Sequence, residues 1–557
     1  METRNAVELL IQEGYLPSPD LLHDESFNAS HFLTSLRQKV VSRDKPVVVH
    51  KDFFTLFTRN KPLDLNWVEF EKSRAVFEKG KNPHIYQTFL SYVDVPRSFS
   101  QFQPTVSVSA PLIVEQVVVQ APQPLVDTSY TSVQVLTTIP KEGKKREVKD
   151  FVAHYKHRYE FMKGLLQQRM ELQDVVSISR ALKRDPMQEV SIIGMVYDKD
   201  YTANGNILYT IEDTTGKLKI LINKNNKTTP KLFEDGEKIC PDEIIGIKGK
   251  IKGTIIFCDQ VFFPDVPQPK GSLKCASDEV YAAFISDIHF GSKKFLQEEF
   301  IRFIGWLNGE VGTEKQKALA LRVKYMFVIG DVVAGVGVYP GQEKDLHILD
   351  IRDQYKLGAD LFSRIRKDLQ IIMCPGNHDS VRAAEPQPPL EKEYAEPFCQ
   401  IPNLHLVSNP CFVNIHQSKD FEGFNVLMYH GGSFHYYIDN IPALRINRAR
   451  DNPGQVLRLL LQKRHLAPAH HASVYLPTTD VDNLIIHKVP DILVSGDMHR
   501  SDLSDYNGVK IINCSCWESK TDFQEKTGNN PDFCKVPLYS LKTREVKMLD
   551  FSKPDLE

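Results

Sequence analysis

At 557 residues the chain exceeds what a single hydrophobic core organises, so three or four folding units are expected. Its 69 Lys and Arg against 71 Asp and Glu give a formal charge of −2, without the basic excess of a chain that grips nucleic acid unaided. Nine cysteines, none before Cys240, show neither paired metal-ligand spacing nor a small disulfide framework. The opening Met-Glu-Thr-Arg-Asn lacks a signal h-region and no run approaches a membrane span, so a cytoplasmic chain with no membrane partner is expected.

Residues 1–95 mix helical patterns, Ala6–Gly14 and His31–Val40, with a short strand at Pro46–Val49, and predict a small, mainly helical interaction module. Residues 96–145 read as a flexible linker. Between Ser98 and Pro140 the only charged residues are Glu115 and Asp127, five prolines interrupt the stretch, and no helical period is present. Its Val117–Val119 segment either stays disordered or adds a strand to a partner.

Residues 146–270 predict a helix followed by a barrel. The basic cluster Lys141, Lys144, Lys145 and Arg146 reads as a solvated helix entrance. Val148, Phe151, Val152, Tyr155, Tyr159, Met162, Leu165 and Leu166 recur at three and four, so this face is expected to pack on a core. Five short strands follow at Val190–Tyr197, Asn206–Glu212, Lys217–Ile222, Glu243–Ile251 and Thr254–Phe263, with turns at Asp213–Gly216 and Lys252-Gly253. That spacing fits an OB-fold. Tyr197, Tyr201 and Tyr209 are candidates for stacking bases, with packing as the competing role of this unit.

Residues 275–557 carry the chemistry. Five apolar runs each end in polar residues able to bind metal: Tyr281–Ser286 before Asp287 and His289, Tyr325–Ile329 before Gly330-Asp331, Leu369–Cys374 before Asn377-His378-Asp379, Phe424–Tyr429 before His430, and Asp491–Ser495 before Asp497 and His499. Each reads as a strand buried on both faces, with its ligands where the strand stops, the position at which α/β sheets bind. A lone Asp-x-His or Gly-Asp is more often a turn or a capped helix, and Gly-Asn-His-Asp behind a buried strand is a stronger signal. Five in this order point to a two-metal phosphoesterase, because two cations about 3.5–4 Å apart can activate water, neutralise a phosphodiester and stabilise the leaving oxygen. Asp331 is the expected bridge, following a glycine that lets the backbone turn. Asp287 and His289, two apart on an extended segment, are expected to grip one ion. His378 is expected to face the substrate as an acid or transition-state donor, with Asp379 orienting its ring. Carboxylate, imidazole and amide ligands without thiolate suit Mn²⁺, with Fe²⁺ and Zn²⁺ as alternatives. His405, His416, His470, His471 and His487 lack this context and read as ordinary surface or core residues.

The ligand set resembles the calcineurin-like metallophosphoesterase superfamily. Further stretches resemble the small subunit of archaeal family D DNA polymerase: Gly337 to Glu343, Gly376 to Arg382 running into Ala384 to Pro388, Arg464 to Pro468, and the tail around Trp517, Thr521, Phe523 and Gln524. The resemblance covers residue 147 to the end. It implies an α/β fold, a calcineurin-like phosphoesterase β-sandwich flanked by helices and preceded by an OB-fold whose favoured role is packing. It also implies a 3′–5′ proofreading exonuclease acting on single-stranded or mismatched DNA 3′ ends, in a heterodimer with the polymerase large subunit. By the family's pattern Asp287, His289, Asp331 and His499 would hold one cation, and Asp331, Asn377, His430 and the residue at 497 the other, with His378 catalytic. Gly496-Asp497-Met498-His499 departs from the family's Gly-His-x-His; a carboxylate can replace imidazole, so the site is expected to survive. The competing readings are a catalytically silent scaffold for the polymerase subunit, and a phosphatase acting on small molecules or proteins.

Overall fold

The computed structural model describes residues 16–17, 48–49, 132–137, 139, 145–225, 230–477, 481–521, 524–525 and 530–553. The chain forms two compact units, residues 1–120 and 121–557. In the first, β1 (Leu16–Pro17) pairs in parallel with β2 (Val48–Val49), at the end of the strand expected at Pro46–Val49. The expected helices at Ala6–Gly14 and His31–Val40, and the Val117–Val119 segment, lie outside the described residues.

In the second unit the expected linker ends in a strand. β3 (Val133–Val135) pairs antiparallel with Val413–Ile415, far downstream. A three-residue Val-Gln-Val alternation cannot be told apart from the uncharged stretch around it; a sheet edge nearly 280 residues away supplies its hydrogen bonds.

Helix α1 (Val148–Gln167) forms where periodicity predicts, and Tyr159, Met162 and Leu166 of the expected face are buried in a core, but polar residues share the buried stripe with them. Val148 and Val152 are exposed, while Asp150, His154, Arg158, Tyr159, Met162 and Leu166 are buried. Arg158 Nε donates to Asp482 Oδ2 at 2.7 Å, and His465 Nε2 meets the same oxygen at 2.8 Å. A buried ion pair with a distant loop thus draws Arg158 into the buried stripe, which hydropathy cannot foresee.

Five strands, β4 (Glu189–Tyr201), β5 (Ile207–Asp213), β6 (Gly216–Ile222), β7 (Ile244–Lys252) and β8 (Ile255–Phe262), close into a barrel ordered β4-β5-β6-β8-β7. Within it, β6 and β8 pair in parallel and the other neighbours antiparallel. Asp213 Oδ1 accepts from the backbone N–H of Thr215 at 2.7 Å and Gly216 at 3.1 Å, which fixes the expected turn. A helix, Pro230–Glu237, intervenes between β6 and β7. Tyr197 and Tyr201 are exposed, whereas Tyr209 is fully buried with its hydroxyl donating to the Gly236 carbonyl, so Tyr209 cannot stack on a base.

The rest of the unit is two six-stranded sheets. β9 (Tyr281–Ile285), β10 (Val323–Ile329), β11 (Gln370–Cys374) and β12 (Leu404–Leu406) run parallel. β13 (Cys411–Ile415), β14 (Phe424–Met428), β15 (Ile492–Ser495), β16 (Asp502–Tyr506) and β17 (Val509–Asn513) form the second sheet with β3 at its edge. β18 (Lys535–Ser540) and β19 (Val546–Asp550) return to the first sheet beside β9. Alternate residues serve two cores. Phe284, Phe327, Ile329, Val426 and Val494 meet between the sheets, while Ile285, Met326 and Val328 pack under helices such as Gln297–Leu307 and Ile351–Phe362. Leu427 and Leu493 pack under Gly454–Lys463 on the opposite outer face. This double burial is why the five runs are continuously apolar. All nine cysteines are free thiols. Among the described residues no helix is long and apolar enough to cross a membrane.

Candidate metal centre

The five runs deliver their polar residues to one cleft. Asp287 follows β9, Asp331 follows β10, Asn377 and His378 follow β11, His430 follows β14, and Asp497 and His499 follow β15. The backbone there is not extended. Asp287 (φ 52°), His289 (57°), Asp331 (50°), Asp497 (66°) and His499 (53°) all occupy the left-handed region. For a residue with a Cβ this costs on the order of 1–3 kcal/mol, and such strain gathers at functional sites. The expected extended grip of Asp287 and His289 is therefore corrected: both turn inward because both are left-handed. Gly330 (φ 77°) is required as well, since a Cβ there would lie 2.5 Å from His430 Nδ1.

Ligand atoms converge across the two sheets. His499 Nε2 lies 3.3 Å from Asp287 Oδ1 and 3.2 Å from His289 Nε2. Asp331 stands at the middle, with Oδ1 3.3 Å from His430 Nε2, and Oδ2 3.8 Å from His378 Nε2 and 3.9 Å from His289 Nε2. Asn377 Oδ1 is 3.0 Å from His430 Nε2, and Asp497 Oδ1 is 3.8 Å from it. Three groups have ligand atoms all within 4.8 Å of one another: Asp287, His289 and His499; His289, Asp331 and His378; Asp287, Asp331 and His430. Asp497 stands beside these groups and belongs to none of them.

Neighbouring bonds fix which atoms face the cleft. His430 Nδ1 meets the Ile329 carbonyl at 2.7 Å and His378 Nδ1 meets the Ala334 carbonyl at 2.8 Å, so each carries its proton there and turns Nε2 inward. The expected pairing of Asp379 with the His378 ring is thus corrected. Asp379 instead accepts backbone N–H groups of Gly376 (2.9 Å), Val332 (3.2 Å) and Val333 (3.3 Å), and the Tyr355 hydroxyl (3.2 Å), tying the loop after β10 to the loop after β11. A buried carboxylate surrounded by N–H donors finds more partners in the backbone than in one ring.

Burial disfavours ionised Asp331, yet the imidazoles of His378, His430 and His289 hold its carboxyl well below the usual range. Burial likewise opposes Asp287, and His499 beside it prevails and lowers it. Burial pushes His289 down to about 4, leaving it neutral and able to ligate. Burial, and then the Asp331 charge, push Asp379 up to about 6.

The donor set fits a pair of cations. Asp497 Oδ2 is buried without a hydrogen-bond partner among the described residues, a cost that a cation would remove. Bare imidazole nitrogens facing carboxylates are the ligands of hard to borderline ions. The cleft, about 190 Å³, is also lined by Tyr339, His435, Glu518 and Gln524. Gln524 Nε2 lies 2.8 Å from His499 Nδ1, and the Ser292 hydroxyl donates to Glu518. His435 and Glu518 escape sequence reasoning because neither directly ends a strand; the Gly431-Gly432 pair ahead of His435 is the one signal available. His405 and His416 serve elsewhere, against Gln370 (2.9 Å) and Asp278 (3.0 Å).

Comparison with known proteins identifies relatives over most of the chain. The family profile of DNA polymerase alpha/epsilon B subunits matches residues 352–502. The DNA polymerase II small subunit of Methanothermobacter thermautotrophicus is 39% identical over 406 residues, covering 73% of this chain and 80% of that one. The same subunit of Pyrococcus furiosus is 36% identical over 414 residues, covering 74% of this chain and 65% of its own length. A solved archaeal phosphodiesterase matches 48% of this chain and 98% of that one at 14% identity; its TM-score of 0.24 is too low to bear on the fold. The chain belongs to the family of archaeal DNA polymerase II small subunits, the family D subunit that its motifs resemble.

Proposed function

We propose that the chain is the small subunit of a heterodimeric DNA polymerase and removes nucleotides from DNA 3′ ends. On this reading its C-terminal sandwich is a calcineurin-like metallophosphoesterase, the five-stranded barrel is an OB-fold, and the protein works in the cytoplasm. The observation that carries the reading is Asp331, whose two oxygens face different imidazoles, His430 at 3.3 Å and His289 at 3.9 Å. One carboxylate shared between two ligand groups is what a bridged pair of ions requires. Asp287, His289, Asp331 and His499 would hold the first cation, and Asp331, Asn377, His430 and Asp497 the second. Two such ions, taken as Mn²⁺ with Fe²⁺ or Zn²⁺ as alternatives, supply an activated water and neutralise the phosphate.

The protein's own groups do the rest. His378 is fixed through Nδ1, so its Nε2 meets the scissile phosphodiester and, when protonated, donates to an oxygen of the reacting phosphate. Asp379 acts through the backbone, keeping the Asp331 and Asn377 loops in register. The product is a nucleoside 5′-monophosphate and a DNA strand shortened by one. A net charge of −2 supports a partner, the polymerase large subunit, as the source of much of the DNA affinity.

The test is incubation of the purified chain with 3′-labelled single-stranded DNA and Mn²⁺, with and without chelator. Chelator-sensitive release of labelled mononucleotide is expected, and less with Mg²⁺, which accepts a mixed nitrogen and oxygen set reluctantly. The separation of Asp497 from the three tight groups favours one other reading, a silent scaffold for the large subunit. That reading stands if no divalent ion supports hydrolysis.

A further inference from the structure

We propose that His435 is a ligand of the second cation, beside Asp497. The inference rests on the reading of the cleft as a two-cation centre. Asp497 lies between two imidazoles, with Oδ1 3.8 Å from His430 Nε2 and Oδ2 3.7 Å from His435 Nε2. Oδ2 is buried and has no hydrogen-bond partner among the described residues. A separation of 3.7 Å is too long for a hydrogen bond. It is shorter than the roughly 4.2 Å that two bonds of about 2.1 Å span in line, so one ion can touch both atoms with little movement.

The chain is built to bring His435 there. Gly431 takes φ 138°, and a Cβ on it would come within 2.9 Å of Asp497 Cβ. A Cβ on Gly432 would come within 2.8 Å of Glu385 Oε1. The two glycines let the segment after His430 press against Asp497, and the helix Phe434–Asn440 begins there with His435 in its first turn. A half-exposed histidine on a short helix is ordinarily solvated. Here its ring lines the cleft and faces a carboxylate oxygen that no other described residue hydrogen-bonds. Added to His430, a second imidazole gives this position two nitrogen ligands beside its oxygens, a mixed set suited to borderline ions.

Equilibrium dialysis of the full chain against Mn²⁺, without DNA, tests this. The native chain should bind two ions. His435→Ala should keep the first and weaken the second by about 10-fold or more. Asp497→His supplies a nitrogen from position 497 itself, so adding His435→Ala to it should cost little further affinity. The proposal is overturned if His435→Ala retains both ions at native affinity, if the loss is undiminished in the Asp497→His background, or if the native chain binds no ion. Binding that depends on His435 in a chain that leaves DNA uncut would sink the exonuclease reading and spare this one. A Mn²⁺-dependent nuclease indifferent to His435 in both assays would do the reverse.

Discussion

His289 and His499 point their Nε2 atoms at each other across 3.2 Å, although the residues are 210 positions apart in the chain. Two ring nitrogens cannot both carry protons at that distance, and Asp287 and Asp331 flank the pair, 3.3 Å from His499 and 3.9 Å from His289. A cation shared by these groups would satisfy rings and carboxylates together, so metal binding is expected to stabilise the fold. Thermal unfolding with added Mn²⁺ should show a higher midpoint than with chelator, and at roughly 100 times the dissociation constant the gain is about 2.7 kcal/mol. An Asp331→Ala variant should lose that response.

His378 should be separable from the ions. Its imidazole is held by the Ala334 carbonyl and faces Asp331 at 3.8 Å, so His378→Ala is expected to cut turnover by about 10²–10⁴-fold, the usual worth of a positioned acid, while metal content stays at the native value. A variant that arrived without metal would show the ring to be a ligand.

Asp379→Asn should destabilise the fold. The carboxylate receives four donors over its two oxygens, and an amide nitrogen in place of either oxygen would face two of those donors. A loss of roughly 1–3 kcal/mol per stranded group is expected in denaturant unfolding. Turnover per folded molecule should fall too, because the two loops carry Asp331 and Asn377.

The buried cluster of Arg158, Asp482, His154 and His465 predicts acid sensitivity away from the cleft. Burial lowers His154 and His465 from 6.5 to about 4. The unfolded chain therefore takes up these protons near pH 6.5 while the folded chain refuses them until about pH 4, so stability present above pH 6.5 is lost as pH falls through that window. His465→Gln should flatten the decline in a pH series of melting curves. Arg158→Ala should cost about 3–5 kcal/mol by leaving Asp482 buried beside neutral histidines.

Much of the candidate metal centre is legible in the sequence because its elements are local. A continuous apolar run such as Tyr325–Ile329 marks a strand covered on both sides, and the residues just past its end must face the crevice. What stays hidden depends on distant partners. Sequence adjacency pairs Asp379 with the neighbouring ring, yet its donors include Val332 and Val333, more than forty residues earlier. The left-handed backbone at Asp287 and His289 leaves no trace in a pattern of residue types. Tyr209 resembles a stacking platform because aromatic residues on a barrel strand read alike until inside and outside are known. Val133–Val135 becomes a strand through an edge supplied by residues 413–415.

The most direct test of the central claim is a time course on 5′-labelled single-stranded DNA with Mn²⁺, comparing the native chain with Asp331→Ala. The account predicts a ladder that shortens one nucleotide at a time from the 3′ end with the native chain, and intact DNA with the variant. A single internal cut, label released as mononucleotide at the earliest time point, or equal activity in Asp331→Ala would contradict it.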